Sequence, residues 1–476
     1  MSVETDPSNA DAVPTDSETV SARLVLTVLG MCGIVVALMQ TLVVPIIPQL
    51  PHILNSTPAD TSWAVTATLL AAAVITPISG RLGDMFGKKR MLLVSLGLVV
   101  LGSAISAAAP SLVLLVIGRA LQGASMGAIP LGIAILRDTL PPKKVPGAMA
   151  VMSATLGVGG AVGLPIAAVI AQNANWHYLF VTSAVLGLLC LMLVAIVVPE
   201  SKVLRPGRFD IAGAVGLGIA LVALLLPVTK GGTWGWGDRK TLGLLILSAV
   251  MFLVWGWWEL RRKAPLVDLR ISARPQILFT NLASVAVGFA MYGNALTFPQ
   301  LLMAPTSTGY GLGLSMVTAG LALAPGGLVM MALSPVSARI SAWRGPRITL
   351  MIGAVVIGGG YVFVYFANSS VLQIVLAGMV IGAGVGLSYA AMPALIMGAV
   401  PVTESAAANG LNSLMRSIGT STSAAIVSVV LAGMTITVGT ATIPSLGAFR
   451  ATFLISVAAA ATTVVFAWLI PKRQAA

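Results

Sequence analysis

Apolar positions along this chain fall into long runs, not into strand-like alternation. Stretches of about twenty residues with few charges are separated by short polar connections, and a helix of that length crosses the hydrocarbon core of a bilayer. The runs predict fourteen membrane-crossing helices, at 24–47, 61–82, 91–109, 112–136, 147–171, 179–198, 210–229, 241–260, 277–303, 315–338, 348–367, 371–398, 406–433 and 449–470. Residues 1–22 are polar and acidic, unlike the basic start of a signal peptide, and are expected to be a disordered tail. Residues 472–476 form a second short tail.

Composition agrees with this pattern. Of the 476 residues, 57% are hydrophobic and 9% charged, whereas a soluble domain carries about 25% charged residues and could not cover its surface with so few. The fold class is therefore an all-α membrane protein. The net charge of +13 would suggest nucleic acid in a soluble protein, but the basic residues are divided among many connections and form no continuous stripe. Cys32 and Cys190 lie inside apolar runs and are expected only to pack.

The charges also set an orientation. Lys and Arg cluster in alternate connections: Arg81 and Lys88 to Arg90 after the second run, Lys143 and Lys144 after the fourth, and Lys202, Arg205 and Arg208 after the sixth. Further groups follow the eighth and tenth runs, and Lys472 and Arg473 follow the last. The positive-inside rule places these connections and both termini in the cytoplasm, within a cell membrane. One connection breaks the alternation, with Lys230, Arg239 and Lys240 on the expected outer side.

An internal repeat divides the chain. Thr76-Pro77-Ile78-Ser79-Gly80-Arg81-Leu82 aligns with Ser334-Pro335-Val336-Ser337-Ala338-Arg339-Ile340, and Gly87 with Gly345. One residue further in register, Gly123 to Gly127 align with Gly382 to Gly386. The offset is larger than six helices require, so two extra helices lie between the halves. The expected plan is a six-helix bundle at 23–199, two linker helices at 200–275 and a second bundle at 276–471. Parallel repeats with a site at their interface near the midplane are the layout of secondary transporters.

Several motifs sharpen that reading. Gly80-Arg81-Leu82-Gly83-Asp84-Met85-Phe86-Gly87-Lys88-Lys89-Arg90 resembles the signature loop of the major facilitator superfamily, G-x-L-x-D-x-x-G-[RK]-[RK]. Its glycines permit a tight turn and close helix approach, Asp84 can sit against a helix N-terminus or a basic partner, and Lys88, Lys89 and Arg90 are expected in the cytosol. Gly118-Arg119-Ala120-Leu121-Gln122-Gly123 resembles the R-x-x-Q-G element of the same superfamily, whose Arg lies in the central cavity. Gly157, Gly160, Gly163 and Pro165 resemble the Gly/Pro-rich packing stretch of exporters, with Leu164 interrupting the usual G-P pair. The fourteen-span count and Asp210 at the start of the seventh helix resemble the fourteen-helix drug:proton antiporter branch. That resemblance implies two bundles joined by two extra helices, export of drugs or natural products, multidrug or antibiotic resistance, and the proton gradient as energy source.

The chain departs from this branch at one position. Leu38-Met39-Gln40-Thr41 matches an L-D-x-T motif, so Met39 occupies the place of the acid associated with proton handling. All other acids fall in the tail, at helix ends or in loops. Two arginines look deep instead: Arg119, about eight residues into the fourth helix, and Arg416, about ten into the thirteenth. An ionised Arg at the bilayer centre costs about 2.5 to 3.5 kcal/mol or more, so each needs a wet cavity or polar partners. With Gln40, Thr41, Gln122, Asn409 and Asn412 they are the candidate cavity residues, and a positive cavity favours neutral, zwitterionic or anionic substrates over cations.

Other classes fit less well. No phosphate-cradling loop is present, so ATP is not the direct fuel, and His52 and His177 are too far apart in sequence to suggest a catalytic pair. No metal or cofactor is expected, and the architecture suffices as a monomer. A facilitator or importer of an organic anion, and a transport-dead sensor, remain as alternatives.

Overall fold

The structure is a computed structural model, and it describes residues 16–43, 46–47, 49–141, 144–201, 203–205, 207–438 and 441–471. The first fifteen residues, Lys143, Lys202, Lys472 and Arg473 lie outside the described residues, and so does most of the predicted N-terminal tail. Among the described residues, fourteen helices are long and apolar enough to cross a membrane. They are α1 (Ala22–Thr41), α2 (Trp63–Phe86), α3 (Lys88–Ala107), α4 (Leu112–Thr139), α5 (Val145–Asn173), α6 (His177–Val197) and α7 (Ile211–Trp234). The others are α8 (Arg239–Arg261), α9 (Pro275–Met303), α10 (Met316–Arg344), α11 (Pro346–Phe366), α12 (Val371–Met397), α13 (Val402–Gly433) and α14 (Leu446–Leu469). Each matches an apolar run to within a few residues, because hydropathy along a bilayer-crossing chain is a one-dimensional signal.

Two cores form, one dominated by α1 and α3 to α6 and the other by α9, α11, α12 and α14. The repeat is visible in the geometry. Gly87 (φ 110°) and Gly345 (φ 86°) each make the one-residue joint between a helix pair, in a backbone region that L side chains rarely enter. Gly123 presses on the Thr68 carbonyl in the first half and Gly382 on the Gly326 carbonyl in the second, an equivalent pair of close approaches.

Of the two linker helices, α7 lies against one seam between the halves and α8 packs on α7. Leu217, Leu221 and Leu225 of α7 pack with Ala73 of α2 and Leu414 of α13. Asp210 caps α7 by accepting from the Gly213 N–H (2.9 Å) and also accepts from Trp258 Nε1 of α8 (3.0 Å). The unexpected basic connection is partly resolved by the helix boundary. Lys230 is in the last turns of α7, 3% exposed, where it donates to Ser62 Oγ and lies 4.7 Å from the centre of the Trp63 ring. It is a buried contact between α7 and the start of α2 and not a loop charge. A short hairpin of β1 (Thr435–Val438) and β2 (Ala441–Pro444) joins α13 to α14.

Candidate functional site

A cavity of about 210 Å³ lies between the two bundles, with walls from α1, α2, α4, α5, α9, α12 and α13. Arg416 supplies its cation. That guanidinium donates to Asn412 Oδ1 (3.1 Å) and Ser413 Oγ (2.8 Å), and its Cζ lies 5.0 Å from the centre of the Tyr389 ring. These contacts hold the group in place without neutralising it, since no carboxylate pairs with it among the described residues. A guanidinium has five N–H donors, so some remain for a ligand. Ser413, Arg416, Ser417 and Thr420 all line the cavity because they share one face of α13 at i, i+3, i+4 and i+7. That spacing is readable in the sequence and could have identified the serines and the threonine alongside Arg416. Across the cavity stand Gln40 and Thr41, with Gln40 Nε2 3.0 Å from Met126 Sδ.

The other predicted cavity residues are elsewhere. Arg119 is 1% exposed and walled into the first bundle, where it donates to the carbonyls of Ala64 (3.2 Å) and Met39 (2.9 Å) and to Gln122 Oε1 (2.7 Å). Gln122 passes the network on to Ser103 Oγ at 2.7 Å. Arg119 and Gln122 therefore bind helices together and do not line the cavity; the physical reason is that two backbone carbonyls from other helices satisfy the guanidinium internally. The Met39 side chain is 3% exposed and belongs to the first bundle's apolar core. Asn409 donates to the Ser405 carbonyl (2.9 Å) on its own helix. Asn412 faces α9, donating to Asn281 Oδ1 (3.0 Å) and Ser284 Oγ (2.7 Å), and touches the site only by holding Arg416.

The signature loop forms a latch at one end of the molecule. Asp84 is fully buried, and its carboxylate accepts the N–H groups of Ala406 (3.2 Å) and Ala407 (2.8 Å) in the first turn of α13. A negative charge on otherwise unpaired helix N–H groups is stabilising, so Asp84 caps a helix of the opposite bundle. The following segment reinforces it: the Arg205 N–H donates to the Asp84 carbonyl (2.7 Å), and the Arg205 guanidinium pairs with Glu404 at 2.5 Å. Lys88 departs from expectation. It is buried, 2.5 Å from Asp138 Oδ2 and 3.8 Å from Asp84 Oδ1, because two carboxylates offset the cost of taking its ammonium out of water. Lys89 reaches the Ala195 carbonyl (2.9 Å), and Arg90 is exposed beside Glu200 (3.7 Å). Gly80 lets α2 approach the Ala406 carbonyl within the space a Cβ would fill.

In the Gly/Pro-rich stretch of α5, Gly157 packs on Met330 of α10, Gly163 on Thr41, and Pro165 against Gly320. Gly160 does not pack: a Cβ built there meets nothing within 4 Å, and the residue lines the cavity.

Fourteen spans, two repeated bundles and a signature loop latched across them are the layout of the transporter class built from two related halves. The chain belongs to the major facilitator superfamily, whose family profile matches residues 29–424. It is 33% identical over 310 residues to the uncharacterized MFS-type transporter Rv1877 of Mycobacterium tuberculosis, a match covering 64% of this chain but only 44% of that relative. It is 27% identical over 439 residues to the tetracenomycin C resistance and export protein of Streptomyces glaucescens, covering 91% of this chain and 80% of that protein. The solved structure of the human organic anion transporter MFSD10 (TETRAN) shares the fold, with a TM-score of 0.66 at 15% identity, covering 94% of this chain and 99% of that one.

Proposed function

We propose that this protein exports small molecules, drugs or natural products, across a cell membrane by alternating access around the central cavity. The observation that carries the reading is the 210 Å³ chamber between the bundles, whose wall, among the described residues, holds Arg416 and no acid. In a low-dielectric site a lone guanidinium repels cations, so the substrates are neutral, zwitterionic or anionic. Resistance and export among the relatives support the direction of transport. The end carrying Asp84 faces the cytoplasm, as the basic connections there favour, and a single chain is the working unit.

The energy source in this reading is the proton gradient, without cofactor or metal. A second reading, a facilitator or importer of organic anions, is favoured by one specific feature: Met39 packs in the core where an acid would carry the proton, and no carboxylate lines the cavity. Reconstitution in proteoliposomes separates the two. Substrate movement driven by an imposed pH gradient is expected for the antiporter; flux indifferent to that gradient would establish the facilitator, and no flux with either would leave a sensor or scaffold.

A further inference from the structure

The central cavity has a neighbour. A second chamber of about 190 Å³, walled mainly by apolar and small residues such as Leu164, Leu323, Ile381 and Val385, shares part of its wall with the first. Thr41, Leu156, Gly160, Met291 and Ala295 line both. The first chamber holds the buried cation and several hydroxyls, while the second offers only Asn294 and the shared Thr41 among its described polar side chains.

Among the shared residues, Gly160 has a distinct character. Nearby glycines of α5 have their missing side chain replaced by a neighbour: Gly157 by Met330, Gly159 by Ala37, Gly163 by Thr41. At Gly160 the corresponding space is empty. Helix packing therefore does not require glycine here, and a helical glycine is less favourable than alanine with no contact to offset it. What the missing side chain leaves is open space on the wall that the two chambers share.

We propose that Gly160 sets the size and shape of substrate: an amphipathic anion lies with its charged group against Arg416 and its apolar body past Gly160 in the second chamber. This rests on the anion-tolerant cavity argued above and names the molecules it takes. They are acids with an extended apolar or polycyclic portion, since a small acid gains only the Arg416 contact. Polar anchoring at one end and apolar burial at the other is how drug-sized ligands are generally held.

The test uses the purified full-length protein and equilibrium binding of four probes: benzoate, 1-pyrenebutyrate, and their quaternary-ammonium counterparts phenyltrimethylammonium and pyrenebutyltrimethylammonium. For the wild type, pyrenebutyrate is expected to bind at least tenfold more tightly than benzoate. Gly160→Leu should weaken pyrenebutyrate at least several-fold more than benzoate and so remove most of that advantage, and Gly160→Ala should fall between. The alanine variant adds one methyl to open space, so it keeps the experiment decisive even if the leucine variant fails to fold. Arg416→Gln should weaken both acids. Equal losses for both acids in Gly160→Ala, or none for pyrenebutyrate in a folded Gly160→Leu, would overturn the proposal. Preferential binding of the cationic pair would sink the anion reading instead. The size discrimination at Gly160 is then read from those two cations.

Discussion

The two bundles meet along two equivalent seams, built differently. By the repeat offset α2 corresponds to α10 and α5 to α13, so the α2/α13 seam is the counterpart of the α10/α5 seam. At α10/α5 the contact is steric and spread along the helices: Gly157 on Met330, Gly327 on Ala161 and the Gly157 carbonyl, Gly320 on Pro165, and Ser334 Oγ donating to the Ala150 carbonyl (3.0 Å). At α2/α13 the sequence adds charge at one end, with Asp84 on the first turn of α13, and the linker helix α7 packs against both helices. The position equivalent to Asp84 is Ala342, which is exposed, and the first turn of α5 has no side-chain cap of its own. One seam is thus a packed surface. The other has an electrostatic catch, which the proposed alternating access would have to break for the signature-loop end to open.

The largest effects should come from making either seam sterically impossible. At Gly80 a Cβ would collide with the Ala406 carbonyl, and at Gly327 with Ala161 and the Gly157 carbonyl. Backbone cannot give way as a flexible side chain does, and overpacking of this kind costs about 1 to 3 kcal/mol. Gly80→Val and Gly327→Val are each expected to reduce transport tenfold or more in proteoliposomes. Cysteine cross-linking across the altered seam should fall while the other seam remains cross-linkable. If both variants transport normally, close approach at these glycines is not what holds the halves together.

A smaller, chemically specific effect is expected at the catch. Asp84→Asn keeps the shape but removes the charge facing the N–H groups of Ala406 and Ala407, and deprives Lys88 of one of its two acids. Asn keeps one capping oxygen, so what is lost is the second acceptor and the charge on the helix N-terminus, about 0.3 to 1 kcal/mol and up to about 2 where buried, and about 1.4 kcal/mol is a tenfold change in an equilibrium. The population with the signature-loop end open should therefore rise several-fold, measurable as spin-label distances between α2 and α13. Distances at α10/α5 near the other end should shift in the opposite sense if the halves rock as rigid bodies. An unchanged distribution would mean that Asp84 is capping without latching.

These contrasts also show what the sequence could and could not convey. The spans were legible because burial in lipid needs only a local run of apolar residues, and the repeat because Gly87 and Gly345 answer the same backbone demand. Asp84 was legible as a partner for a helix N-terminus or a basic group, and it meets both, the N–H groups of Ala406 and Ala407 and the ammonium of Lys88. Arg119 and Arg416 were not distinguishable: each is an arginine deep in a helix with no acid nearby. Their fates diverge because the carbonyls of Ala64 and Met39 come within reach of Arg119, while Arg416 sits over Tyr389 at a gap between bundles. Which backbones approach which side chain is set by tertiary packing, and no local pattern encodes it. Gly160 was grouped with the packing glycines for the same reason, as spacing along α5 cannot tell a filled notch from an open one.

The smallest expected effect is the most direct check on the comparison. Ala342→Asp places a carboxylate at the position equivalent to Asp84, beside a seam that lacks one. Because Ala342 is exposed and no buried lysine is described next to it, the new charge stays hydrated and should contribute less than about 0.5 kcal/mol. Transport is expected within twofold of wild type, and the α10/α5 distances should not change. In the Asp84→Asn background it should likewise restore nothing, because a latch needs a buried carboxylate and a helix N-terminus already facing each other, which only the α2/α13 seam provides. Rescue of Asp84→Asn by Ala342→Asp would show instead that the seams are interchangeable, and that the charge, not its burial, makes the catch.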